Sequence, residues 1–510
     1  MNKILIVLLF LTNAVVAQQI EQTYRNPVIQ GDFPDPTVIR VGNNYYAAGT
    51  TSDFAPSYPL YHSTDLINWD RIEAVFNTPP AWIKGDCWAP ELFYNDGTYY
   101  VYYTARKKSD NISCIGVATT KDITKGFTDH GPLIEWGNEA IDAHVFKDDD
   151  GKLYITWKAY GLANRPIEIL ASELSADGLS LVGEHFTLTD PAKGWIERGD
   201  EGQVLMKRNS YYYLFYSIGG CCDNRCSYRV HVARSKSLKG DWEQLEPNPI
   251  LQGGDLWRCS GHGTIVQSPD GRYFYLYHAY HAYDFEFVGR QGLLDELVWD
   301  KKTGWPYFKN GDRPSAQAPV PFKNTVQRKE VSITDNFSSD QYDTYWQWDM
   351  NFSKPVVSKQ KDKLTIENTQ DGLCFWGVNT RTSNYSLETS VTPAGSNFKG
   401  LTVYGGPNNF IALGVEGSTV KIINKNREKS DIYTQSIGKA ETVYLKVESF
   451  GGRLYKFYWS TDNSTWKIYP SNDENIDGSK LPQWGKGLRI GFLLDGKGKA
   501  EFSRFDMIAR

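Results

Sequence analysis

A strong excess of charge of one sign is missing from this chain: 55 Lys and Arg stand against 60 Asp and Glu, a net charge of −5. That leaves no electrostatic footprint for nucleic acid or an anionic membrane and argues against polyanion binding. Long apolar runs are missing too, since nothing after Leu11 approaches the roughly 20 apolar residues of a membrane-spanning helix. Helical periodicity is hard to find anywhere. Cysteine is sparse, with seven in 510 residues. None follows the N-terminal apolar run, so there is no site for a lipid anchor there. The odd count leaves at least one thiol unpaired, and the pairing cannot be read from spacing. The one cluster, CCDNRC at Cys221, Cys222 and Cys226, lacks a second ligand pair at zinc-like spacing and reads as disulfide rather than metal chemistry.

The first 17 residues, MNKILIVLLFLTNAVVA, join Lys3 to a short apolar run and to the small residues Val15 and Ala17. This is the pattern of a secretory signal, which predicts an exported protein, periplasmic or extracellular. Length predicts two domains. Aromatics are plentiful, 14% with 32 Tyr and 16 Trp, and such residues fill β cores or offer flat faces to ligands.

A pattern repeats five times. DPTVIRVGNNYYAAGTT from Asp35 is echoed by APELFYNDGTYYVYYTA from Ala89, DAHVFKDDDGKLYITWKA from Asp142, EGQVLMKRNSYYYLFYS from Glu201 and HGTIVQSPDGRYFYLYHA from His262. Each unit is a short apolar strand, a polar turn and an aromatic strand, the signature of a hairpin. Spacings of 54, 53, 59 and 61 residues between these starting positions lie slightly above the roughly 40–50 of four-stranded propeller blades. Five blades are predicted.

In a propeller the first strand of each blade lines the central channel. The equivalent positions Asp35, Ala89, Asp142, Glu201 and His262 should therefore gather at one end of it. A position repeated for structure alone would be small and apolar, because unpaired charge in a narrow channel is costly. Three carboxylates meeting there would repel one another and raise at least one pKa, as acid/base chemistry requires.

The motifs PDPTVIR, WAPELF, IDAHVFKDDDGKLYITWK, GDEGQVLMKRNSYYYLFYS and GHGTIVQSPDGRYFYLYHA resemble, in order and spacing, those of glycoside hydrolase family 43, over about residues 24 to 310. The resemblance implies a five-bladed β-propeller that hydrolyses glycosidic bonds with inversion, mostly in arabinose- and xylose-containing plant polysaccharides. It also implies Asp35 as the general base, Glu201 as the general acid and Asp142 as the carboxylate that raises and orients the acid. Arg290 matches an arginine near the sugar. His262 matches a channel histidine that contacts a bound ion, calcium or another, through water; no cofactor is otherwise implied. Trp88 and Phe54 are candidate stacking walls for a sugar ring, with propeller core as the alternative for both. Where many family members carry Glu-Gly-Pro after the acid, this chain has Glu201-Gly202-Gln203, a change expected to alter the strand start. KDDDGK at 147 to 152 lacks the distal Glu of a calcium loop and reads as a hairpin turn.

After a proline-spaced linker at about 314 to 326, some ten short alternating strands predict a β-sandwich of jelly-roll type. They resemble the concanavalin A-like domain that accompanies some β-xylosidases and arabinofuranosidases. The expected division is therefore 1–17 signal, 18–325 catalytic propeller and 326–510 sandwich, the last bracing the propeller. The first expectation for activity is an exo-acting α-L-arabinofuranosidase on plant cell-wall polysaccharide. A β-xylosidase comes second, then a β-galactofuranosidase or exo-galactanase. A non-catalytic carbohydrate-binding propeller is the rival from another class, and it has no need of three convergent carboxylates.

Overall fold

In the computed structural model the described residues are 22–160, 167–189, 195, 200–329, 331–470 and 475–510; the expected signal at 1–17 lies outside them. Five antiparallel blades run in chain order, each of four strands except the fourth, whose outer strand is split into Glu243–Gln244 and Leu251–Gln252. Blade one is Thr37–Val41, Asn44–Ala48, Ser57–Ser63 and Asp70–Phe76. Blade two runs from Ile83–Asn95 to Thr128–Ile134, and blade three from Glu139–Lys147 to Leu181–Thr187. Blade four starts at Glu201–Arg208 and blade five at Trp257–Gln267. The inner strand of each blade touches the inner strands of both neighbours, first against fifth included, so the ring is closed. Aromatic side chains fill the wedges between blades, as where Tyr58, Phe76 and Tyr103 meet with centroids 5.1–6.1 Å apart. Strand Thr23–Arg25 pairs with Gln317–Pro319, tying the start of the described chain to the segment after blade five.

The C-terminal part is two antiparallel sheets face to face. One contains Tyr385–Val391, Val443–Phe450 and Leu454–Ser460; the other contains Leu373–Asn379, Phe398–Gly406 and Arg489–Asp495. Val443–Phe450 buries alternate residues, as a strand with one wet face should. Phe398–Gly406 is buried at every position, and its Phe398 and Tyr404 belong to an aromatic cluster that includes Phe54 of the propeller. The short strand Phe54–Ala55 leaves blade one and pairs with Trp348–Asp349. Phe54 is 1% exposed, packed with Phe375 and Tyr404 and capped by the Arg489 guanidinium 4.0 Å from its ring. The sequence expectation that Phe54 is a sugar-stacking wall is thereby corrected: its ring is part of the inter-domain core.

Candidate active site

Each blade contributes one residue within or just ahead of its inner strand to one cluster. Asp35, Asp142 and His262 all take left-handed backbone angles, φ 52°, 58° and 43°. This conformation is costly for a non-glycine residue and is characteristic of functional sites. It swings their side chains out of strand alternation and toward one another. His262 Nδ1 lies 3.5 Å from Asp35 Oδ1 and 3.8 Å from Asp142 Oδ2. Gly202, next to Glu201, donates its N–H to Asp142 Oδ2 at 3.1 Å. A Cβ at Gly202 would strike the His262 ring, so the glycine permits this approach. Five blades thus bring Asp35, Asp142, Glu201 and His262 into one pocket; Ala89, the fifth equivalent, is small and buried.

A second ring supports the first. Fifteen or sixteen residues after each starting position stands a polar residue, namely Thr50, Thr104, Lys158, Ser217 and His278. Each bonds the starting residue of the next blade. Thr50 accepts the Ala89 N–H at 2.8 Å, Thr104 the Asp142 N–H at 3.2 Å and Ser217 the His262 N–H at 2.8 Å. His278 Nδ1 accepts the Asp35 N–H at 3.0 Å, closing the circle, and Lys158 Nζ binds Glu201 Oε2. Sequence reasoning missed this ring, although the fixed offset of a polar residue at the end of an aromatic strand was a readable signal. Tyr228, which donates to Glu201 Oε1 at 2.8 Å, carries no such signal.

The electrostatics separate the three acids. Burial disfavours charge on Asp35, but it is outweighed by Arg290, whose Nη1 donates at 2.7 Å, together with His262. Asp35 is held far below the usual carboxylate range, and Thr50 donates to its other oxygen at 2.8 Å. His278 is kept neutral, pushed down to about 4 by burial and then by the charge of Arg290. Asp142 is pushed up to about 6, first by burial and then by the charges of Glu201 and Asp35, against the opposing pull of His262 and Lys158.

Glu201 differs from expectation. Its burial would raise it, but the Lys158 ion pair, with further help from His262 and the Tyr228 hydroxyl, holds it below its ordinary value. The expected effect of Asp142, keeping Glu201 protonated, is therefore corrected. The elevated pKa belongs instead to Asp142, because Lys158, 43 residues away in sequence, pairs with Glu201.

The remaining expectations sort as follows. Arg290 pairs with Asp35 and also donates Nη2 to the Gly485 carbonyl at 3.3 Å, so a sandwich loop reaches the cluster. Gly485 sits at φ 71° and donates its N–H to Cys222 at 2.9 Å. Trp88 is half-buried with the Arg106 guanidinium 5.8 Å from its ring, and it flanks Ala89 at the channel end. Among the described residues no group of three His, Cys, Asp or Glu side chains is disposed to hold a metal. An ion beside His262 would depend on one imidazole acting through water, and no step below runs through it. KDDDGK is a turn, with Asp148 taking Lys207 and Tyr212 at 2.7 and 2.6 Å. Gln203 uses its amide to bind the Asp142 carbonyl and, at 3.2 Å, Thr156, fixing the backbone at Asp142. Cysteines pair as Cys221–Cys222 and Cys226–Cys259, and the second bond lies beside Tyr228. Cys87, Cys114 and Cys374 are free and buried, and burial pushes each thiol up to about 12.

Residues 24–306 match the family described as "Glycosyl hydrolases family 43". The chain belongs to glycoside hydrolase family 43. Residues 334–506 match the family 43 companion described as "Beta xylosidase C-terminal Concanavalin A-like domain". Family 43 relatives include a xylan 1,3-beta-xylosidase from a Vibrio species, 28% identical over 87% of this chain and 90% of that one. A non-reducing end alpha-L-arabinofuranosidase from Bacteroides ovatus is 27% identical over 75% of this chain and 73% of its own. The crystal structure of the family 43 protein BlXynB from Bacillus licheniformis shares the fold with a TM-score of 0.81 and 23% identity, covering 96% of this chain and all of that one.

Proposed function

We propose that this family 43 hydrolase is exported and removes single terminal pentoses from plant cell-wall polysaccharide by one-step inversion, with α-L-arabinofuranose as the sugar. The observation that carries this reading is the meeting of Asp35, Asp142 and Glu201 around His262, with Arg290 on Asp35. Asp35, kept ionised by Arg290, is the base that takes a proton from water. Glu201 is the acid that protonates the leaving oxygen. Asp142 holds the proton of the Asp142–Glu201 pair up to about pH 6 and stands beside Gly202, so the pair, rather than either residue, supplies the acid. Lys158 releases Glu201 to the incoming glycosidic oxygen as that proton moves across.

The sandwich loop at Gly485 walls one side of the pocket, which favours attack at a chain end. Two disulfides fit an oxidising compartment and support export through residues 1–17. A second reading, β-xylosidase, is favoured by the relatives that span both domains, such as the Vibrio enzyme. Release of para-nitrophenol from the α-L-arabinofuranoside and the β-D-xyloside, together with identification of the monosaccharide freed from arabinan and arabinoxylan, decides between them. NMR of the first product anomer tests inversion. Silence on all of these substrates would favour a non-catalytic carbohydrate-binding propeller.

A further inference from the structure

Asp35 and Glu201 stand on blades one and four, and inverting hydrolysis needs a base and an acid held at a fixed separation of roughly 6.5–9.5 Å. Two stacked rings connect them. Tyr228 immediately precedes the third strand of blade four, Arg229–Ser235, and its hydroxyl donates to Glu201 Oε1 at 2.8 Å. His278 belongs to the second strand of blade five, Tyr273–His281, and its Nδ1 accepts the Asp35 N–H at 3.0 Å, with Asp35 Oδ1 3.2 Å from the same nitrogen. The two rings lie 3° from parallel with centroids 5.7 Å apart, inside the range of favourable aromatic pairs. A chain of contacts therefore runs from acid to base by way of blade five: Glu201, Tyr228, His278, Asp35.

Neither ring can touch a sugar. His278 is 0% exposed and Tyr228 1%, so any effect on the reaction passes through the carboxylates they hold. The surroundings are shaped for the stack. Gly261, paired with His278 across the neighbouring strand, has no side chain, and a Cβ there would come within 2.5 Å of the Tyr228 ring. Tyr228 also shares a buried cluster with Cys259 and Tyr280, against which Cys226 packs, and the Cys226–Cys259 bond ties the loop before Tyr228 to blade five. A penalty is visible at the other ring nitrogen. Because Nδ1 accepts, the imidazole proton is on Nε2, which is buried without a hydrogen-bond partner. An unanswered buried donor destabilises the fold. What the site uses is a flat ring with one acceptor on its edge, not the full hydrogen-bonding capacity of a histidine.

We propose that the His278–Tyr228 stack is a spacer that fixes how far the carboxylate of Asp35 stands from that of Glu201. Its role rests on Asp35 as base and Glu201 as acid, and it makes His278 and Tyr228 positioning residues for both. Reacting groups tolerate little misplacement, since a displacement of about 1 Å can cost on the order of 10²-fold in rate. The spacer acts on turnover rather than on sugar affinity, because neither ring reaches the substrate.

Steady-state kinetics of the full chain on two glycosides of one sugar test it, because a dinitrophenyl leaving group departs without a proton while a sugar leaving group needs one from the acid. The first substrate reads the base alone, the second acid and base together. Tyr228→Phe keeps the ring and drops the hydroxyl, so its loss should be confined to the sugar leaving group. Tyr228→Leu drops the ring as well. In that variant kcat should fall about tenfold or more on the dinitrophenyl glycoside too, with KM within about threefold, because His278 has lost its support and Asp35 moves with it. His278→Phe keeps the stack and loses the acceptor; it should slow both substrates about ten- to hundredfold and covers the case in which Tyr228→Leu does not fold. Wild-type kcat per folded molecule on the dinitrophenyl glycoside in Tyr228→Leu or in His278→Phe, with only Tm lowered, overturns the spacer and leaves the acid and base assignments standing. No hydrolysis of either glycoside by the wild type overturns both.

Discussion

Asp32 and Asp35 stand three positions apart, both are buried and both meet an arginine, yet one belongs to the domain seam and the other to the hub. At the seam, Asp32 Oδ2 accepts the Gly487 N–H at 3.0 Å and Arg489 Nη1 at 2.9 Å, while Oδ1 accepts the Arg290 N–H at 3.3 Å. Every oxygen is answered by a donor fixed in one domain or the other. At the hub, Asp35 is answered as fully by Arg290 and Thr50, but two more carboxylates crowd beside it and Asp142 keeps an elevated pKa. A buried ion pair alone therefore does not mark a reaction centre. An excess of buried acid over cation does, because some acid must then hold a proton that can be passed on.

The comparison breaks most visibly at the hub. Asp35→Asn and Glu201→Gln should each lower kcat by about 10²–10⁴-fold, the range for acid–base groups, with little change in Tm; near-wild-type turnover in steady-state assays on unactivated substrate would contradict the assigned roles. The seam should respond the other way. Asp32→Asn leaves Arg489 buried without its charge partner and should cost about 3–5 kcal/mol. Denaturant melts should show that loss, while kcat per folded molecule stays within a few-fold.

Activity against pH gives a subtler test. Because the acid must be protonated, and the Asp142 proton leaves near 6 in the free site, kcat/KM should fall as pH rises above about 6. On the acid side Asp35 stays ionised, so no loss from that group is expected until strongly acidic pH. Removing the cation in Lys158→Met favours the protonated acid, and the falling limb should move up by about one pH unit; an unmoved or lowered limb would refute the place given to Lys158. The smallest effect belongs to Tyr228→Phe. It deletes one hydrogen bond to Glu201 and should lower kcat about two- to tenfold, as a net bond of roughly 0.5–1.5 kcal/mol implies, with KM nearly unchanged.

Much of this site was legible in sequence. The repeats from Asp35, Ala89, Asp142, Glu201 and His262 announce both the blades and the residues that face the channel, since a propeller turns a linear period into angular position. Arg290 was carried by its motif. Lys158 was overlooked because one lysine in an aromatic strand looks like an edge residue until the neighbouring blade is placed against it. Phe54 was misplaced for the converse reason. Its local pattern is that of any aromatic near a strand start, and only the second domain, whose packing partners Phe375 and Tyr404 lie more than 300 residues on, decides that it is covered. The disulfide partners, and the closeness of Cys226–Cys259 to Tyr228, likewise needed coordinates, because pairing depends on distance and not on spacing.

The amino-acid order by itself determined the all-β architecture, the five-fold hub and the set of acids delivered to it, because strand alternation and repeat length are local properties. Which acid carries the proton and which aromatic is hidden were decided only by tertiary structure. Those outcomes follow from electrostatic and packing interactions between groups far apart in the chain, and such interactions fall off with distance through space.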